Sequence, residues 1–321
     1  MARIVSLGSA LQNIYLIDRD DFVGAEVGGS SIFSRLVIGT KVDIDRISYE
    51  IGGGGTNSAT SFARHGHETI YIGNIGNDPA GEAVLAVLDQ EGIDTSFISR
   101  LSRKTTGCST ILLDAKSGER TLLTHRGASA EFKNLDPNDL DLIHPDWIYI
   151  SSLRGDMETI LKFIEKAHSV GCKVMFNPGS LELDQPKKML GLLQDVDVLI
   201  VNKLEASKIV PGQVLAELLS HLSNYVPAAI ITDGSMGAIA TDGQDTYRLG
   251  VYEQVKAKDT TGAGDAFGSG FLAHFAAGHS FRSSLIFGAA NSASVVQQFG
   301  AKRGILTGRE PLHPMPIQKI K

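Results

Sequence analysis

Between Trp147 and Gly234 the chain alternates short, nearly unbroken apolar runs with longer amphipathic stretches. The runs are Trp147–Ser152, Lys173–Asn177, Val198–Asn202 and Ala228–Gly234, and Met157–Val170 and residues 186–194 lie between them with helical periodicity. Strand-length runs without polar alternation belong to strands buried on both faces, and the helices between them supply the crossovers of a parallel sheet. Arg3–Leu7 and Thr69–Gly73 read as further strands of this kind, and Pro79–Glu91 as a helix closed by Gly92. The pattern predicts an α/β fold built on a doubly wound, mostly parallel sheet. Asn177, Asn202 and Thr232 stand at strand ends and should share one sheet edge, where open sheets bind ligands. Asn13, just past the first strand and Gly8-Ser9, shares that position or serves as a turn residue.

Two stretches break the pattern. Lys41–Ile51 partly alternates apolar with polar, as a half-exposed strand does, and Gly107–Leu113 and Arg120–Arg126 flank a polar turn as a hairpin does. Paired together they would form a small separate sheet. We expect a single domain over residues 1–321, with a β-sheet lid formed by insertions at about 14–51 and 106–127. A lid excludes water when water competes with an intended acceptor. Residues 20–34, polar and Gly-rich, read as a mobile loop.

Candidate chemistry gathers at two glycine-rich turns. Gly52-Gly53-Gly54-Gly55-Thr56-Asn57 precedes a helix over 58–66, and four glycines in a row make sense where something must approach the backbone closely. The pattern is neither G-x-G-x-x-G nor a Walker loop, which disfavours a dinucleotide fold. Asp259-Thr260-Thr261-Gly262-Ala263-Gly264-Asp265 opens an apolar helix over 264–277, with another at 281–299. A helix start exposes N–H groups without partners and carries partial positive charge, so it can hold a phosphoryl group while a carboxylate there takes a proton from an attacking hydroxyl. Asp265 is that carboxylate or, more plainly, a complement to the helix dipole. Asn202 and Glu205 have the spacing of a capping box and equally of a pair that orders waters around Mg²⁺. Thr232-Asp233-Gly234-Ser235-Met236-Gly237 suits a nucleotide's phosphates and ribose, or is a tight turn into the next strand.

With 321 residues, 42% of them hydrophobic, the chain has the composition of an ordinary α/β protein, and its net charge of −6 argues against nucleic acid as a partner. Cys108 and Cys172 lie far apart, without metal-ligand spacing, and read as buried thiols in a reducing compartment. The N-terminal apolar run is too short for a signal peptide, and no apolar run is long enough to span a bilayer, so a cytoplasmic protein without membrane contact is expected.

Together these segments resemble the ribokinase-like carbohydrate kinases, often called the pfkB family, over roughly residues 3–307. Gly52–Ala59 and Asp259–Phe267 carry the resemblance, supported by Asn202-x-x-Glu205 and Thr232-x-Gly234 in the same order. The resemblance implies ATP-dependent phosphorylation of a hydroxymethyl group on a sugar, sugar acid or nucleoside. It makes Asp265 the catalytic base and the amides of Gly262, Ala263 and Gly264 the anion hole. It gives Asn202 and Glu205 to Mg²⁺ and phosphate, Thr232, Gly234, Gly237 and Asn291 to the nucleotide, and Gly53, Gly54 and Asn57 to the sugar pocket. Asp259 resembles part of the family's monovalent-cation site, which brings in K⁺. Two departures bear on the acceptor: Asn13 stands where many members carry Asp, and Gly54 where ribokinases often carry Lys. Arg126, at the end of the hairpin, could reach an acidic or phosphorylated sugar, or is a solvated strand-end charge. The family's lid often pairs with a second subunit, and Ile44, Ile47, Leu112 and Leu122 would supply apolar contacts to a homodimer. The rival readings are a nucleoside kinase of the same fold and a non-catalytic sugar- or nucleotide-binding regulator.

Overall fold

A computed structural model describes residues 1–18, 41, 43–114, 120–253 and 255–320. The first half of the chain forms β1 (Arg3–Leu7), β2 (Leu11–Asp18), β3 (Arg46–Gly52), α1 (Gly54–Arg64), β4 (Glu68–Gly76), α2 (Pro79–Gln90), β5 (Ile98–Leu101), β6 (Gly107–Asp114), β7 (Arg120–His125), α3 (Asp139–Ile143), β8 (Trp147–Ser151) and α4 (Met157–Ser169). The second half adds β9 (Lys173–Asn177), α5 (Ser180–Leu183), α6 (Pro186–Leu192), β10 (Val198–Asn202), α7 (Lys203–Ile209), α8 (Leu215–Leu222), β11 (Ala228–Thr232), β12 (Ala238–Thr241), β13 (Thr246–Leu249), α9 (Ala263–Ala276), α10 (Phe281–Val295) and β14 (Ile317–Lys319).

The main sheet has ten strands in the order β14-β13-β12-β11-β10-β9-β8-β1-β4-β5. The run from β5 to β11 is parallel, and β12, β13 and β14 continue it antiparallel. Helices cover both faces, as unbroken apolar strands require. On one face Ile160 and Phe163 of α4, Met189 of α6 and Leu218 of α8 pack against Val174, Leu199 and Ile231. On the other, Phe62 of α1, Phe267 and Phe271 of α9 and Leu285 of α10 pack against Ile4, Tyr149, Ile200 and Ile230. Each such fully buried side chain contributes roughly 1.5–3 kcal/mol by leaving water. Asp78 caps α2 by accepting from the Gly81 N–H at 2.9 Å, and Asp156 caps α4 in the same way from Thr159. Among the described residues no helix is long and apolar enough to cross a membrane.

A second sheet of four strands, in the order β3-β2-β6-β7, joins the two stretches that break the strand–helix alternation. It is antiparallel at both outer pairs and parallel in the middle, where β2 runs beside β6. Its fourth member, β2, starts at Leu11, ahead of the insertion expected from about residue 14. The strand expected over 41–51 begins only at Arg46, and the expected mobile loop at 20–34 lies outside the described residues. β5, β13 and β14, of four, four and three residues, were not foreseen, because runs that short carry too little periodicity. The helix expected over 281–299 ends at Val295. α1 starts at Gly54, inside the glycine run instead of after it. A Cβ on Gly55 would lie 2.8 Å from both the Gly8 carbonyl carbon and the Tyr71 ring, so this glycine lets α1 pack onto the end of β1.

Candidate active site

The polar residues at the C-terminal ends of the parallel strands meet as the strand pattern predicts. Register sets Ser151 beside Asn177, and Asn202 beside Thr232. All four line a cleft of about 390 Å³ with Ser9, Gly54, Glu205, Thr260, Gly262, Ala263, Gly264 and Asp265. Gly262 caps α9 in a left-handed conformation (φ 76°), which turns the chain so that the first helical turn faces this cleft. The Ala263 N–H makes a long 3.3 Å bond to the Thr260 carbonyl, and the Ala266 N–H closes the first regular turn onto Gly262 O at 2.8 Å. A helix start leaves its remaining amides without helical partners.

Asp265 sits in that turn with part of its side chain open to the cleft. The Asn57 side-chain N–H₂ donates to its Oδ2 at 2.9 Å. Burial pushes the Asp265 pKa up, while the bond from Asn57 and the charge of Lys302 oppose that rise. Glu205 faces the same cleft. Burial raises its pKa too, the Asn202 backbone bond opposes this, and the Asp265 charge adds to it. Two carboxylates that each resist ionisation thus share one cleft, an arrangement suited to a cation or to proton transfer.

Asn202 and Glu205 form the capping box in full. Asn202 Oδ1 accepts from the Glu205 N–H at 2.9 Å, and Glu205 Oε2 accepts from the Asn202 N–H at 2.8 Å. The cap does not exclude the cleft role, since both residues also line the cleft. Thr232 lines it as well, and Gly234 (φ 53°) is exposed in the turn that follows. Gly237 (φ 89°) is buried, and a Cβ there would meet Leu249 O at 2.1 Å, so it holds the turn against β13.

Other expected residues lie elsewhere. Gly54 borders the cleft, but Gly53 (φ 102°) packs on the Ser9–Ala10 backbone. Asn13 is buried on β2 with its amide against Gly52. Asp259 is 3% exposed, and its two oxygens accept the Thr261 N–H at 2.9 Å and the Gly300 N–H at 3.1 Å. The carboxylate therefore ties two loops together beneath the α9 start. Arg126 is exposed, directly after the end of β7 and at the head of a 3₁₀ turn over Gly127–Ala130. Partial burial and the Arg154 charge lower its pKa. Among the described residues neither arginine forms an ion pair.

Asn291 is a correction. It is fully buried, donates to Ala266 O at 2.8 Å and accepts from the Leu306 N–H at 2.8 Å, which leaves its amide nothing to offer a nucleotide. Its neighbours Ala290 and Ala293 instead line a second cleft of about 750 Å³, with Val251, Tyr252, Leu306 and His313. Leu112 is a second correction: it is buried, whereas Ile47, Tyr49, Leu122 and Leu123 of the small sheet are exposed.

Three contributors escaped the sequence reading. Ser151 presses on Gly54, where an added Cβ would lie 2.9 Å from the Ser151 Cβ. Glu182, fully buried, accepts from Ser152 Oγ and from the Gly155 and Gly179 N–H groups, fixing two lining residues. Lys302, 7% exposed, donates to Asn57 Oδ1. Ser151 and Lys302 act across long sequence separations; Glu182 bonds locally to Gly179 but also reaches Ser152, 30 residues back, and Gly155, 27 back, which no local motif announces.

The model of the pfkB family of carbohydrate kinases matches residues 1–307. The chain belongs to that family. A ribokinase of Haemophilus influenzae is 30% identical over 281 residues, covering 83% of this chain and 88% of that protein. The Arabidopsis thaliana ribokinase solved with ribose and ATP aligns with a TM-score of 0.77 and 22% identity, covering 95% of this chain and 96% of that one. An E. coli protein solved as a ribokinase II with ATP and Mg²⁺ aligns with a TM-score of 0.77 and 19% identity over 95% and 96% of the two chains. The fold is ribokinase-like, and the pfkB protein described here is an ATP-dependent carbohydrate kinase.

Proposed function

We propose that this kinase phosphorylates a hydroxymethyl group of a sugar or sugar acid, with Asp265 as general base. The observation that carries the reading is a carboxylate at the start of α9 that opens on the cleft, receives a hydrogen bond from Asn57 and has its pKa raised by burial. An acceptor hydroxyl gives its proton to Asp265 as its oxygen attacks the γ-phosphorus of ATP, and the bond from that phosphorus to the bridging oxygen breaks to release ADP. The amides of Gly262, Ala263 and Gly264 face the charge that develops there. Phosphoryl transfer needs positioning and charge stabilisation more than covalent help, and this arrangement provides both.

Thr232 and the turn through Gly234 and Gly237 suit the nucleotide's phosphates. That turn abuts Leu249, and the chain runs on from Gly250 into the second cleft, which has room for a base. Mg²⁺ fits at Glu205 and Asn202 through water: Glu205 Oε2 is engaged by the Asn202 N–H, and among the described residues its Oε1 is left to the cleft. When bound, the ion would offset phosphate charge. Asp259 has both oxygens engaged by main-chain N–H groups, so K⁺ in its neighbourhood would rest on backbone carbonyls. The four-stranded sheet is the candidate lid, and its exposed Ile47, Tyr49, Leu122 and Leu123 support a homodimer, which light scattering tests; a monomer mass counts against it. Arg126 beside Arg154 favours an acceptor with an acidic or phosphorylated arm.

The test is ADP release with Mg-ATP across pentoses, hexoses, sugar acids, sugar phosphates and nucleosides, with Asp265→Asn as control. A sugar or sugar acid whose turnover vanishes in the variant supports the reading. A nucleoside acceptor, or turnover retained by the variant, overturns it.

A further inference from the structure

Lys302 is a buried charge that the proposed chemistry does not use. Its Nζ donates to Ile51 O at 2.6 Å, Thr56 Oγ1 at 2.8 Å and Asn57 Oδ1 at 2.9 Å. Thr56 already gives its own hydroxyl hydrogen to Gly52 O at 2.8 Å, so its oxygen accepts from Lys302. Three acceptors require three N–H groups, which only the charged ammonium has. The other charges around Lys302 are matched among themselves. Arg64 of α1 pairs with Glu91 beyond α2, and Arg303 pairs with Glu50 of β3. The charge of Lys302 is left to Asp265 of α9, with Asn57 bonded to both. Glu205 of α7, across the cleft, and the buried Tyr149 of β8 are the other ionisable groups that feel the Asp265 charge, and it raises the pKa of both.

The Asn57 amide has two ends of similar size and opposite character. An ammonium can only donate, so it takes the amide oxygen and turns the N–H₂ toward the carboxylate. Without the ammonium the amide is free to flip and set its oxygen against the carboxylate. We propose that Lys302 is a positioning residue for the proton acceptor: through Asn57 it presents an N–H₂ donor to Asp265, and its charge favours the carboxylate form. The proposal rests on the reading of Asp265 as base. Burial lowers the Lys302 pKa to about 7, so the lock would release as pH rises through neutrality.

The experiment is the pH profile of kcat/KM, which reports groups of the free enzyme, for wild type, Lys302→Gln and Lys302→Arg. It is paired with ¹³C NMR titration of the Asp265 carboxyl, assigned by its loss in Asp265→Asn. In Lys302→Gln we expect kcat/KM to fall by roughly tenfold and the acid limb and NMR titration to move up by about one pH unit. In Lys302→Arg, which stays charged and has an adjacent cavity of about 260 Å³ to use, the alkaline limb near neutrality should disappear. A folded Lys302→Gln that loses thermal stability but titrates Asp265 as wild type does overturns the proposal. If Lys302→Gln does not fold, persistence of the alkaline limb in Lys302→Arg overturns it. Should wild type phosphorylate nothing in the panel, the reading of the acceptor fails on its own, and the NMR titration still decides whether Lys302 governs Asp265.

Discussion

α1 and α9 both start at this site, and they use glycine in opposite ways. Gly53 (φ 102°) caps α1 and Gly262 (φ 76°) caps α9, and neither helix has a side-chain cap. Both cap glycines are forced: a Cβ would lie 2.3 Å from Ser9 O at Gly53 and 2.5 Å from the Ala301 Cβ at Gly262. The difference comes in the first turn. In α1, Gly54 and Gly55 are pressed against Ser151, Gly8 and Tyr71, and the turn carries no acid. In α9, a Cβ on Gly264 would meet nothing within 4 Å, and Asp265 follows it. The first start is packed to bring α1 against the sheet and hold Asn57 in place. The second is left open, toward the cleft. Similar glycine-rich spellings thus serve close packing at one start and leave the other start open.

Asp265→Asn tests the open start most severely. Turnover should fall by about 10²- to 10⁴-fold, the usual loss with a general base, while the fold and nucleotide binding persist. The same variant carries a stability signature. The folded-state pKa of Asp265 lies above its unfolded value, so the native state holds this proton more tightly than the unfolded chain does. That contribution is fully present below the unfolded pKa and lost as pH rises through the folded one. Asn needs no proton, so the variant should melt higher than wild type at neutral pH, with the gain disappearing below about pH 4. Equal melting at both pH values would show that Asp265 ionises without strain and would blur the contrast between the two starts.

Gly55→Ala tests the packed start. Its methyl would meet the Gly8 backbone and the Tyr71 ring at 2.8 Å, contacts that flexible side chains cannot relieve. We expect a loss of about 1–3 kcal/mol in denaturant unfolding, the usual range for overpacking. Unchanged stability would mean that α1 can lift off β1 and that its glycines are not packing devices.

The same contrast explains what the sequence made legible. The α9 start, the capping box at Asn202 and Glu205, and the parallel strands are written in neighbouring residues, where periodicity and turn chemistry can be read directly. The role of Gly55 depends on Gly8, just past the end of β1 and far away in sequence. Lys302 acquires its role from Asn57, 245 residues away in sequence, and a lysine beside an arginine reads locally as surface charge. Asn291 failed in the other direction: α10 is apolar on most sides, so its pattern could not show that Ala290 faces the cleft and Asn291 the interior. The small sheet was visible as broken alternation, but β2 was only half seen, because its partner β6 lies about a hundred residues on.

The smallest effect is expected at Gly264, and it separates the two starts most cleanly. Gly264→Ala adds a methyl in open space on a helix, and alanine in place of helical glycine stabilises by roughly 0.5–1 kcal/mol. The melting temperature should therefore rise slightly, the opposite sign to Gly55→Ala. The methyl also projects beside the lining of the cleft, so kcat/KM for ATP should drop by about tenfold, the scale of one misplaced methyl group in a binding pocket. Higher stability with lower activity marks a glycine kept for a ligand. A fall in stability would mean that Gly264 serves packing as Gly55 does, and the anion-hole assignment at this start would then lose its physical basis.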